Sequence, residues 1–125
     1  MNLLIQQLKK YGPIHTDLEE EFIKRTKFMT KQKGDFFLKQ GQVVSNMFVI
    51  EKGIVRAFYN KEDREINVWF GIENMILGSV IPLFFNLPSL ESIQFLEDSS
   101  IYYISREDMN ELYQNIIKWK PLGEN

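Results

Sequence analysis

The sequence predicts an α+β fold: a jelly-roll-like, antiparallel double-stranded β-helix, in effect a small β-roll, flanked by N- and C-terminal helices. Three observations predict it. Apolar residues recur at helical spacing only near the two ends of the chain. From Lys27 the hydrophobic period changes to two. Glycines at Gly34, Gly41, Gly53, Gly71 and Gly78 then stand where an antiparallel chain has to reverse. At 125 residues the chain is expected to form one domain, 1–125, with the roll over about 27–104 and helices at 2–11, 16–25 and 105–118.

Leu4, Leu8 and Tyr11 share a helical face until Gly12-Pro13 ends it. Thr16-Asp17-Leu18-Glu19 has the form of a capping box and opens a second helix, in which Leu18, Phe22 and Arg25 share a face. Lys33-Gly34-Asp35 and Gln40-Gly41-Gln42 read as turns around a strand at Phe36-Phe37-Leu38. Met47–Ile50 and Ile54–Tyr59 are rich in β-formers, and Glu51-Lys52-Gly53 between them suits a tight hairpin. Asn60-Lys61-Glu62-Asp63 is a second, polar hairpin turn. Strands at Glu65–Phe70, Met75–Leu77, Glu91–Leu96 and Ile101–Ile104 bring the total to about eight. Ser105, three residues ahead of Asp108, caps a last helix carrying Met109, Leu112, Tyr113 and Ile116.

Composition excludes several functions. With 15 Lys+Arg against 17 Asp+Glu, the net charge of −2 gives no non-specific grip on nucleic acid. Residues 1–40 hold 8 basic and 5 acidic groups, and residues 41–125 hold 7 and 12. Cysteine is absent, which removes disulfides, thiolate nucleophiles and thiolate metal sites and fits a reducing, cytoplasmic setting. The longest apolar run, Met75–Phe85, is broken by Gly78, Ser79 and Pro82, so no membrane span is expected. His15 is the one histidine and precedes a helix, where an exposed or capping role is expected. Metal-dependent small barrels need two or three imidazoles on facing strands, so no metal and no enzyme activity is expected. The adjacent pairs Glu62-Asp63 and Glu97-Asp98 point apart and read as solvated turns. No phosphate-binding glycine motif occurs.

The order of these segments resembles the effector domain of the Crp/Fnr regulators, the cyclic-nucleotide-binding β-roll, over roughly Thr16–Gln114. Lys33-Gly34-Asp35 through Gln40-Gly41 resembles the family's early turns. Met47-Phe48-Val49-Ile50-Glu51-Lys52-Gly53 is similar to its aromatic-x-isoleucine-x-x-glycine segment. Ser92–Asp98 and Ile104–Asp108 resemble the strand and helix that follow its phosphate-binding cassette. The resemblance implies ligand sensing in transcription regulation, with a small-molecule effector such as cyclic AMP. The cassette would fall between Gly78 and Ser92. There the family's Gly-Glu is Gly78-Ser79, and its Arg-Thr or Arg-Ser falls at Ser89-Leu90.

The candidate pocket is therefore Arg56, Gly78, Ser79, Val80, Ser89 and Leu90. Arg56 is either a replacement cation turned inward or a solvated edge residue; Ile54, Arg56 and Phe58 are expected to share a face. A charged hydrogen bond to phosphate contributes about 1.5–3 kcal/mol, so its loss weakens binding roughly 10- to 150-fold. Ordinary cyclic-nucleotide binding is thus not expected, and no other cofactor is implied. In this the chain resembles Bacteroidetes-type members with a degenerate cassette. Ile81, Leu83, Phe84 and Phe85 read as one helical turn docked on the roll, whose N-terminus is an alternative anion holder. The family's DNA-reading helix-turn-helix has no counterpart in these 125 residues, so output is expected through a partner or a separate domain, without direct DNA binding by this chain. The alternative is a ligand-free interaction or homodimerisation module, with the apolar insert Ile81–Leu87 or the Trp119 helix as its contact surface; Tyr113, Ile116, Ile117 and Trp119 are part of a dimer face or core packing.

Overall fold

The apolar periodicity of both ends becomes helix, and the period-two stretch becomes two facing sheets. The computed structural model describes residues 3–43, 46–77 and 88–119, with the backbone alone at 113 and 115–119. Helices α1 (Leu3–Lys9) and α2 (Thr16–Arg25) lead into β1 (Lys27–Lys31), β2 (Phe36–Leu38), β3 (Asn46–Lys52), β4 (Val55–Lys61), β5 (Arg64–Gly71), β6 (Ile76–Leu77), β7 (Ser92–Phe95) and β8 (Ser99–Ser105). Helix α3 (Arg106–Trp119) closes the described chain. Among the described residues these strands form two four-stranded antiparallel sheets, ordered β1-β8-β3-β6 and β2-β7-β4-β5. This is the expected β-roll with helices at either end. The helical insert expected at Ile81–Phe85 and the side chains of Tyr113, Ile116, Ile117 and Trp119 lie outside the described residues.

The core lies between the sheets. Phe48, Val49, Ile50, Ile101 and Ile104 from the first meet Val55, Ala57, Ile93 and Phe95 from the second. Phe48 is the hinge of the packing, tilted against Phe37 at 4.0 Å and Phe95 at 6.4 Å between ring centroids. Each such side chain removed from water contributes about 1.5–3 kcal/mol, which is what holds two short-stranded sheets together. Leu4 and Ile5 of α1 are fully buried and close one end of the core.

Both helix caps are built from residues next to the expected ones or from those residues themselves. Ser105 behaves as expected: its Oγ accepts the Asp108 N–H at 3.1 Å and donates to Asp108 Oδ2 at 3.1 Å. At α2 the cap is His15 rather than Thr16. Thr16 already has helical geometry, so the unsatisfied N–H groups are met one residue earlier: His15 Nδ1 accepts from Asp17 N at 3.2 Å and its carbonyl accepts from Glu19 N at 2.9 Å. Glu19 does not reach back; its carboxylate pairs with Lys9 at 2.7 Å. Arg25 ties α2 to α3 by donating to Glu111 and, at 3.3 Å, to Asp108. The Glu111 hydrogen bond is the main cause that raises its already high pKa.

Gly53 turns the chain between sheets instead of closing the expected hairpin. The polar turn at Glu62-Asp63 is a two-residue hairpin as expected, both residues in the left-handed region (φ 52° and 63°) with Lys61 opposite Arg64. Glu51-Lys52-Gly53 is not a hairpin. β3 pairs with β8 and β6, whereas β4 pairs with β5 and β7, so the chain passes from one sheet to the other at Gly53. Sequence alone offers the same glycine signal for a hairpin and for such a corner; what separates them is a distant strand. Gly53 has φ 122°, and a Cβ there would lie 1.9 Å from Ser99 Oγ and 2.5 Å from Ser99 Cβ, at the start of β8.

Gly53→Ala is expected to lower stability by about 2–4 kcal/mol, combining left-handed strain with overpacking. Ser99→Gly in the same chain should restore the steric part. Urea unfolding of the two single variants and the double variant checks this; equal loss with and without Ser99 would place the cost elsewhere.

Candidate functional site

Alternation along β4 assigns its side chains. Val55 and Ala57 are fully buried in the core between the sheets, so Arg56 emerges on the opposite, outer face of the second sheet. Phe58 shares that outer face, as expected, and is buried there under Arg56 instead of in the main core. The inward orientation considered for Arg56 is therefore not the one adopted, because turning it in would expel Val55 and Ala57.

Four residues line up across the outer face: Phe36 on β2, Gln94 on β7, Arg56 on β4 and Phe70 on β5. The Arg56 guanidinium lies 3.9 Å over the Phe58 ring. Its Nε and Nη2 donate to Gln94 Oε1 at 3.0 and 2.7 Å, Nη1 to Asn67 Oδ1 at 3.3 Å, and Nη2 to Glu65 Oε1 at 3.0 Å. Gln94 is itself held, since its Nε2 donates to the Gly34 carbonyl at 3.1 Å. A bulge in β5 makes this set possible. Phe58 faces Asn67 but Ala57 faces Trp69, so Val68 is the extra residue; it sends Trp69 to the core and leaves Phe70 beside Arg56. An open cleft of about 430 Å³ lies over this row, lined by Lys33, Gly34, Arg56, Asn67, Phe70, Gln94, Phe95 and Leu96.

The other candidates lie elsewhere. Ser89 and Leu90 sit in the connection leading into β7. Ser89 is anchored to the turn after β2: its N–H donates to the Gln42 carbonyl at 2.7 Å and its carbonyl accepts from Gly41 N at 2.8 Å. Its hydroxyl is spent locally, donating to the Glu91 carbonyl at 2.7 Å and accepting from Glu91 N at 3.2 Å. Leu90 is 83% exposed. Arg56 has its partners among Gln94, Asn67, Glu65 and Phe58 and is not brought together with Ser89 or Leu90. Gly78, Ser79 and Val80 lie outside the described residues.

One charge feature adds to the motif comparison. From Glu65 to Ser105 the sequence contains no lysine or arginine and five carboxylates, Glu65, Glu73, Glu91, Glu97 and Asp98. The whole stretch that carries the cassette position and its neighbouring strands thus offers no side-chain cation that stays charged at neutral pH. Among the described residues no group of three or more His, Asp or Glu could hold a metal ion, and no helix is long and apolar enough to cross a membrane.

The family model for the cyclic nucleotide-binding domain matches residues 29–116. The chain belongs to that family. Solved structures share the fold at low identity. The catabolite activator protein of Thermus thermophilus is 16% identical with a TM-score of 0.71, over 85% of this chain and 50% of that one. The sensor domain of the transcriptional regulator DNR from Pseudomonas aeruginosa is 16% identical with a TM-score of 0.74, over 87% of this chain and 75% of that one. The regulatory domain of Toxoplasma gondii PKA, crystallised with cAMP, is 12% identical with a TM-score of 0.78, over 88% of this chain and 43% of that one. This chain therefore spans half or less of the Thermus and Toxoplasma chains. No curated protein matches at a significant level.

Gln94→Leu removes the acceptor of two Arg56 hydrogen bonds and the donor to Gly34, and is expected to cost about 1–3 kcal/mol, whereas Gln94→Glu keeps the acceptor and should cost less. Denaturant midpoints of the two variants decide it. Equal midpoints for Gln94→Leu and the parent would show that the row does not hold Arg56.

Proposed function

We propose that this chain is the ligand-sensing regulatory domain of a Crp/Fnr-type transcription regulator whose cyclic-nucleotide site has lost its phosphate clamp. Family membership and the β-roll support a sensor role for a small-molecule effector. The order of motifs from Lys33 to Asp108 supports the Crp/Fnr assignment, while the fold is shared alike with a catabolite activator, a regulator's sensor domain and a kinase regulatory domain. The domain is non-catalytic in this reading, and its output passes to DNA through a partner or another segment.

The observation that carries the loss of the clamp is the absence of Lys and Arg between Glu65 and Ser105. A phosphodiester moved out of water needs a fixed cation, or its burial goes uncompensated. With Ser89-Leu90 at the arginine position, a cyclic nucleotide would enter a region whose fixed charges are all carboxylates.

Calorimetric titration with cyclic AMP tests this. The parent protein should show no saturable binding in the micromolar range, and Ser89→Arg should bind at least about tenfold more tightly than the parent. Micromolar binding by the parent would contradict the reading. No melting-temperature shift with any metabolite in a broad panel, together with a stable dimer in solution, would favour the interaction-module alternative.

A further inference from the structure

We propose that the outer cleft at Arg56 is a second, independent binding site, and that it takes a small flat organic anion of the aromatic carboxylate class. The cleft has the volume of a small-molecule site, about 430 Å³. Among the described residues its lining includes two cations, Lys33 and Arg56, and no carboxylate. Lys33 comes from the turn before β2 and Arg56 from the start of β4, so the fold brings two distant segments to one rim.

Arg56 is prepared for an anion. Phe58 supports one face of the guanidinium, and the Gln94–Gly34 chain fixes its plane. Four of its five N–H donors have acceptors, which leaves one Nη1 hydrogen without a protein partner among the described residues. One of the four acceptors, Glu65, is 52% exposed, and pairs of that kind contribute little. A ligand carboxylate can displace Glu65 from Nη2 and reach the open Nη1 hydrogen at the same time, a two-oxygen match to the two nitrogens at the end of the guanidinium. Phe70, directly across from Arg56 and 53% exposed, supplies an apolar face for a ring, with Leu96 beside it. A bare inorganic anion would use the cations and leave Phe70 in water, whereas a ligand with a ring covers it. The reading rests on Arg56, Lys33 and Phe70, and among the described residues none between 88 and 92 lines this cleft.

The test is a titration of the ¹⁵N-labelled full chain with 2-naphthoate, with inorganic phosphate as the second probe. Saturable shifts are expected at the amides of Gly34, Arg56, Asn67 and Leu96, with weaker binding of phosphate. Arg56→Gln should weaken naphthoate binding by about tenfold or more, and Lys33→Gln and Phe70→Ser by several-fold each. Lys33 and Phe70 are exposed, so those two variants keep the test valid if Arg56→Gln fails to fold. The proposal is overturned by an absence of saturable shifts up to the solubility limit, by shifts confined to residues 88–92, by indifference to Lys33→Gln and Phe70→Ser, or by phosphate binding as tightly as naphthoate. A failure here leaves the cyclic AMP titration of Ser89→Arg unaffected, because that substitution reads a different loop.

Discussion

The burial of Val55 and Ala57 on either side of Arg56 is the constraint from which the chemistry of this domain follows. Successive residues of a strand point to opposite faces, so two apolar anchors in the core commit the arginine between them to the outside. Releasing Arg56 inward would place Val55 and Ala57 in water and a guanidinium among Phe48, Ile50 and Phe95, a cost in desolvation far larger than any single contact there could offset. The interior is therefore left without this cation, and the outer face gains it. Gln94 and Asn67 sit where cross-strand neighbours of Arg56 and Phe58 have to sit, and they turn an isolated charge into an ordered one.

The same sheet geometry depends on a corner at Gly53. Because β3 and β4 are consecutive yet belong to opposite sheets, the chain has to change layer within two residues while passing over Ser99. A left-handed residue without a Cβ is the one solution that leaves β8 in place between β1 and β3. Gly71 has a related role at close quarters: a Cβ there would lie 2.8 Å from Val55 Cγ2 and 2.9 Å from Leu77 Cδ1, so the end of β5 approaches the core only as glycine. Both glycines serve packing and topology.

Much of this was legible in the residues. The change of period at Lys27, the Glu62-Asp63 turn and the Ser105–Asp108 cap are local signals, and local interactions decide them. Two features were not legible for one shared reason: they are settled by residues far away in sequence. Whether Gly53 closes a hairpin or turns a corner depends on Ser99. Counting back from the Glu62-Asp63 turn pairs Arg56 with Trp69, and only the bulge at Val68 changes that to Phe70, a bulge stabilised by the core's demand for the indole. His15 caps α2, as its place just ahead of a helix led one to expect, whereas the Thr16–Glu19 capping box does not form because Thr16 is already inside the helix. For the site, the motif order pointed to Ser89 and Leu90 and to the missing arginine. Glu65, Asn67 and Gln94 carried no signal of their own, and only the register of β4 against β5 and β7 makes them partners of Arg56.

The orientation of Arg56 is the claim on which both functional readings turn, and side-chain NMR reads it directly. A spectrum of the Arg56 Nε–Hε group in the free protein should show a ring-current-shifted, slowly exchanging proton with nuclear Overhauser contacts to the Phe58 ring and the Gln94 side chain. Contacts from that proton to Phe48, Ile50 or Phe95 would place the guanidinium inside the roll and contradict the account.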